Sequence, residues 1–169
     1  RLILENSPKE YIPIETEVEI LQKYLETQKL RFEDRFEFKI EVSSEIIMEH
    51  TVIPPMITQP FIENAIEHGQ LHTIEGGFIY ISFQKVNNLL QILIEDNGVG
   101  RTGAKANKKS KDHKSMAMNI TKERIDNLNK KYKTAGFLLI EDFNKELHTG
   151  TKVLISLPYK EEKTKPIDS

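Results

Sequence analysis

The chain has 169 residues, 38% of them hydrophobic, which is enough to bury one core of ordinary size, so one compact domain with an N-terminal helical extension is expected. A formal net charge of −2 argues against a general nucleic-acid binder, and the absence of cysteine excludes disulfides and thiolate metal sites. The longest apolar runs are strand-sized, so no membrane-spanning helix or signal peptide is read here, no membrane contact by these residues is expected, and a cytoplasmic location is the default.

Residues 14–32 place Ile14, Val18, Leu21 and Leu25 at three- and four-residue steps, with Glu15, Glu17 and Glu19 near the start. This spacing predicts an amphipathic helix whose stripe packs on the domain or on a second copy of the chain. Residues 36–42, FEFKIEV, alternate apolar and polar and predict a strand. Pro54 and Pro55 open a helix predicted over 55–68, with Met56, Ile57, Phe61, Ile62, Ala65 and Ile66 apolar and Gly69 as its C-cap. Strands follow at 78–86 and 89–95, joined at Asn87-Asn88 as a tight hairpin. Residues 101–114 are polar, Lys-rich and unperiodic, and read as a long loop. A helix returns at about 116–132 on Met116, Ile120, Ile125 and Leu128, then come strands at 137–143 and 151–157 and a charged tail, 160–169, expected to be disordered. A hairpin among interleaved helices and strands implies an α+β two-layer sandwich, a mixed open sheet covered on one face by helices.

Two segments carry candidate chemistry. In ILIEDNGVG, residues 92–100, an apolar strand delivers Asp96 to its end, while Gly98 and Gly100 let backbone approach closely. The same Asp-Asn-Gly is also an ordinary turn sequence. On the 55–68 helix, Asn64 and His68 stand one turn apart on one face. A buried Asn must satisfy its amide, which asks for a ligand, a metal or a backbone partner, and a solvent-edge position is the plain alternative. Glu63 and Glu67 fall on a solvated face. Arg101, Lys105, Lys108, Lys109, Lys111 and Lys114 cluster with only Asp112 to oppose them. No GxxxxGK[ST] or GxGxxG motif occurs, so any nucleotide would be bound without a P-loop.

Together, PPMITQPFIENAIEHG and DNGVG resemble the N box and first glycine box of the GHKL superfamily, and within it the sensor histidine kinases of the LytS/YehU type. YIPIETEVEILQKYLETQKLRFEDRF, residues 11–36, is similar to that family's linker, and HTGTKVLISLP, residues 148–158, to the closing Gly-Thr strand of its nucleotide site. The resemblance implies a Bergerat ATP-binding fold. It divides the chain into the end of a dimerisation and phosphoacceptor segment with its linker, 1–33, a catalytic domain, 34–159, and the tail, 160–169. The first residue is Arg1 rather than Met, so a cytoplasmic piece of an inner-membrane sensor protein is expected.

The implied ligands are ATP and Mg²⁺. By resemblance, Asp96 accepts a hydrogen bond from the adenine amine, Thr151 after Gly150 assists it through water, and Asn64 coordinates Mg²⁺. His68, Gly98, Gly100, Lys105 of a lid, and Ser115, Ala117 and Met118 complete the implied nucleotide contacts. Where the family's second glycine box normally has a glycine at a helix start, this chain has Ala117. A competent kinase therefore stands beside an alternative, a nucleotide-binding or dimerisation module with weak or no turnover. None of His50, His68, His72, His113 and His148 lies in a phosphoacceptor context, so the accepting histidine is placed on helices outside the chain. Hydrolytic relatives carry a general base one turn before the Asn, where this chain has Pro60, which disfavours a gyrase-like ATPase. The implied partners are those helices, a response-regulator receiver domain and a second copy in a homodimer.

Overall fold

The structure, a computed structural model, describes residues 11–100, 108–145 and 148–162. In chain order it comprises β1 (Ile12–Pro13), α1 (Ile14–Arg31), β2 (Phe36–Val42), β3 (Thr51–Ile53), α2 (Gln59–Glu67), a 3-10 turn (Leu71–Thr73), β4 (Gly77–Val86), β5 (Leu89–Asp96), α3 (Lys108–Tyr132), β6 (Phe137–Lys145), β7 (His148–Leu157) and β8 (Lys160–Glu161). Five strands form one mixed sheet in the order β2-β4-β5-β7-β6, with β2 parallel to β4 and the other pairs antiparallel. A small antiparallel sheet, β1-β3-β8, lies apart from it.

Strand alternation decides which face is buried. On β5, Leu90, Ile92, Ile94 and Asp96 point the same way, and their partners across the β5–β7 ladder are Leu157, Ile155, Val153 and Thr151. Ile79, Ile81 and Phe83 of β4 extend this face, and helices cover it with Ile14, Leu21 and Leu25 from α1, Phe61, Ile62, Ala65 and Ile66 from α2, and Ile125 from α3. The stripe of α1 thus packs within the domain. On the opposite face Tyr80, Glu95, Lys152 and Glu141 form one cross-strand row. The β4–β5 hairpin turns at Asn87 and Asn88, at φ 51° and 62°, which is the left-handed pair that a two-residue turn requires.

Several boundaries differ from expectation. The 55–68 helix begins only at Gln59, because Met56 adopts φ 61° and residues 54–58 are held as a turn by side chains from other helices. Gly69 is not a left-handed cap: His68 closes α2, and Gln70, at φ 50°, takes the left-handed position. Residues 108–114, read as part of a loop, are helical, since α3 starts at Lys108 in a stretch without Gly or Pro. Lys160 and Glu161, assigned to the tail, pair with β3 as β8, and the Glu162 amide bonds the His50 carbonyl at 2.7 Å. The short strands β1 and β3 had no signal in the sequence pattern.

Candidate functional site

The end of β5 and the end of α2 meet backbone to backbone. The Val99 amide donates to the Gly69 carbonyl at 3.0 Å, and the Gly98 amide donates to Asp96 Oδ1 at 2.9 Å. A Cβ on Gly98 would lie 2.4 Å from the Gly69 carbonyl oxygen and 2.7 Å from its Cα, which no rotamer change relieves. On the other side Gly150, at φ 144°, passes so close that a Cβ there would lie 2.0 Å from the Asp96 carbonyl oxygen. Asp96, 9% exposed, is therefore set into a wall of glycine backbone, directly opposite Thr151 in the ladder.

Asn97 pins the turn. Its Oδ1 accepts the Phe78 amide at 2.7 Å and its Nδ2 donates to the Gly76 carbonyl at 2.8 Å. The sequence marked this residue only as part of a turn, and its reach to β4 depends on a strand pairing that Asp-Asn-Gly does not reveal.

Asp96 opens into a cleft of about 440 Å³, including space open to solvent. Its polar lining is Asn64, His68, Asp96 and Thr151, and its apolar walls are Phe61, Ala65, Ile94, Met118, Ile140 and Val153. Gly69 and Gly100 complete it. Of the residues singled out in the sequence, Asn64, His68, Asp96, Gly100, Met118 and Thr151 line this one cleft, and Gly98 binds the Asp96 carboxylate at its edge. Lys105 lies outside the described residues, as do the side chains of Ser115 and Ala117. The apolar walls were legible only as core positions. Glu63 and Glu67 are exposed as expected, and Glu63 accepts a bond from Gln59 at 3.2 Å.

Such a cleft suits a flat polar ligand: apolar walls exclude water from its faces and strengthen a hydrogen bond to the carboxylate at its base. Among the described residues no group of three His, Cys, Asp or Glu could hold a metal. A cation here would take the Asn64 amide oxygen and draw its other ligands from water and from the ligand itself, a donor set that suits Mg²⁺.

Over 167 residues the chain is 28% identical to the sensor histidine kinase YesM of Bacillus subtilis, a match that covers 95% of this chain and 26% of YesM. It is 34% identical over 100 residues to the sensor protein LytS of Oceanobacillus iheyensis, covering 59% of this chain and 17% of LytS. The sensor histidine kinase BtsS of Escherichia coli is 32% identical over 90 residues, 53% of this chain and 16% of BtsS. The chain is a homologue of the LytS- and YesM-type sensor histidine kinases. The chain spans about a quarter or less of the length of these relatives. Its fold is that of histidine-kinase catalytic domains. The mycobacterial sensor histidine kinase MprB matches with a TM-score of 0.57 at 16% identity, covering 90% of this chain and 98% of that one. The histidine kinase AdeS of Acinetobacter baumannii matches with a TM-score of 0.57 at 15% identity, covering 93% and 72%. No protein-family model matches the chain.

Proposed function

We propose that the chain is the ATP-binding catalytic domain of a sensor histidine kinase. It would transfer the γ-phosphoryl group of ATP to a histidine outside these residues, from which a response-regulator aspartate would receive it. The observation that carries this reading is the convergence of Asp96, Thr151, Asn64 and His68 on one glycine-walled cleft. All the relatives and structural neighbours named above are sensor proteins or histidine kinases, and none supports a module without turnover.

In this reading the Asp96 carboxylate, oriented by the Gly98 amide, accepts the exocyclic amine of adenine, and guanine is rejected because it presents an acceptor at that edge. Thr151 assists through water from across the ladder. Asn64 presents its amide oxygen to Mg²⁺, which when bound neutralises charge on the phosphate oxygens. His68, one turn beyond Asn64, would meet the phosphates; Lys105, assigned to a lid by the resemblance alone, lies outside the described residues. The accepting imidazole is its own nucleophile, so no general base is needed. That agrees with Pro60 where hydrolytic relatives carry one, and with an exposed Glu63 bonded to Gln59. The further partners proposed are upstream phosphoacceptor helices, a receiver domain and a second copy of the full-length protein. The proposed setting is the cytoplasmic side of a membrane sensor. Among the described residues no helix is long and apolar enough to cross a membrane.

Calorimetric titration with a non-hydrolysable ATP analogue tests the site. Asp96→Ala is expected to abolish binding and Asn64→Ala to remove its Mg²⁺ dependence; a preference for GTP would overturn the role of Asp96. Acid-labile label on a separately supplied phosphoacceptor helix tests the transfer, and binding without such label would sink the kinase reading.

A further inference from the structure

Residues 54–58, which lead into α2, are gripped from two sides by side chains of the other helices. From α1, the Glu17 carboxylate, 2% exposed, accepts the Thr58 hydroxyl at 2.6 Å, and the backbone amides of Met56 and Thr58 bond it as well. From α3, the Arg124 guanidinium donates to the Pro55 carbonyl at 2.7 Å.

Three observations set this joint apart from ordinary packing. Met56 holds φ 61°, a left-handed conformation uncommon for residues other than Gly, Asn and Asp, and its amide bonds the Glu17 carboxylate. Thr58 occupies the N-cap of α2 yet makes no side-chain bond to that helix, although a threonine there ordinarily caps its own amides; its hydroxyl goes to Glu17 instead. The carboxylate is also kept in the interior against its own desolvation, where an apolar side chain would pack more cheaply. The loop so fixed opens the helix that bears Asn64 and His68, and Arg124 belongs to the helix that bears Met118, so two walls of the cleft share this one anchor.

We propose that Glu17 is a positioning residue for the nucleotide site, and that the Glu17–Thr58 bond couples nucleotide affinity to the first turn of α1. The inference rests on the nucleotide reading of the cleft given above. Because coupling between sites is reciprocal, bound nucleotide would in turn tighten the hold on α1.

The test is titration with the same ATP analogue, alongside thermal melts, of the unmutated chain, Glu17→Ala, Thr58→Val, Thr58→Ser and Leu25→Ala. Glu17→Ala and Thr58→Val are expected to weaken binding about tenfold, within the usual range for coupled sites. Thr58→Ser, which keeps the hydroxyl, restores it. Leu25→Ala removes core about two turns further along the same helix and leaves both partners of the Glu17–Thr58 bond in place, so its melting temperature falls while its affinity stays unchanged. Equal affinity in Glu17→Ala and Thr58→Val would overturn the proposal, as would a loss in Leu25→Ala matching its loss of stability. Should Glu17→Ala fail to fold, the Thr58→Val and Thr58→Ser pair decides. No binding by the unmutated chain would overturn the nucleotide reading and this proposal with it, whereas binding that ignores these substitutions overturns the proposal alone.

Discussion

Asp96 is held in a place that only glycine neighbours permit. Gly98→Ala would drive a methyl into the Gly69 backbone, 2.4 Å from its carbonyl oxygen. Overpacking of this kind costs about 1–3 kcal/mol, and the Asp96 carboxylate would turn as its amide partner moved. Denaturant melts should show a loss of that size, and nucleotide titration a weakened site. Glu17 gives a pH signature. Burial holds its carboxyl above the ordinary value of 4.5, against the opposing pull of Thr58, Met56 and the Arg124 charge. From about pH 4.5 up to the raised pKa the folded state keeps a proton that the unfolded state has released, so this group's contribution to stability falls as pH rises through that window. Glu17→Gln should abolish that fall, and the gap in melting temperature between the two proteins, followed from pH 4 to pH 8, reports it; a gap that does not change with pH would contradict the burial effect. At this scale Asp96 was legible because the alternation Ile92, Ile94, Asp96 carries it inward. Glu17 was not, because its burial depends on a loop about forty residues away that no helical periodicity encodes.

α3 shows how an element can override a motif. Where the resemblance implied a helix starting near a glycine, with backbone amides open to phosphates, the chain carries Ala117, and α3 runs from Lys108 through that point. Amides inside a helix are already bonded to carbonyls four residues back, so they are closed to an anion. Glycine in a helix interior costs about 1 kcal/mol relative to alanine. Ala117→Gly is therefore expected to loosen the turns before residue 117, lower the helical circular-dichroism signal and raise nucleotide affinity; unchanged affinity would show that the early start of α3 is harmless to the site. The Asn87-Asn88 hairpin, in contrast, was fully legible, because a two-residue turn between alternating strands dictates its own geometry. The start of α2 was not: Pro54 and Pro55 look like a helix opening, but bonds from Glu17 and Arg124 hold residues 55–58 as a turn.

Across the whole molecule, α1 belongs to the core and is no free extension. Ile14, Leu21 and Leu25 are each at most 1% exposed, and burying three such side chains stabilises by roughly 5–9 kcal/mol, comparable with the net stability of an ordinary domain. A fragment of residues 34–162 is accordingly expected to lose its cooperative thermal unfolding, which a circular-dichroism melt would reveal; a sharp transition in that fragment would show the sheet and two helices to be self-sufficient. The two-layer class followed from element order and hydrophobic alternation. The strand order did not, since the parallel pairing of β2 with β4 across α2 and the small β1-β3-β8 sheet arise from contacts that no local pattern records. That order leaves β6 at the rim of the main sheet, opening with the apolar run Phe137, Leu138, Leu139 and Ile140. Phe137 and Leu139 are 42% and 43% exposed, with the exposed Glu141 next on the same side of the strand. Concentrated solutions would accordingly begin to cloud from this border, by strands of neighbouring molecules adding to it. A lysine in place of Leu139 would delay it.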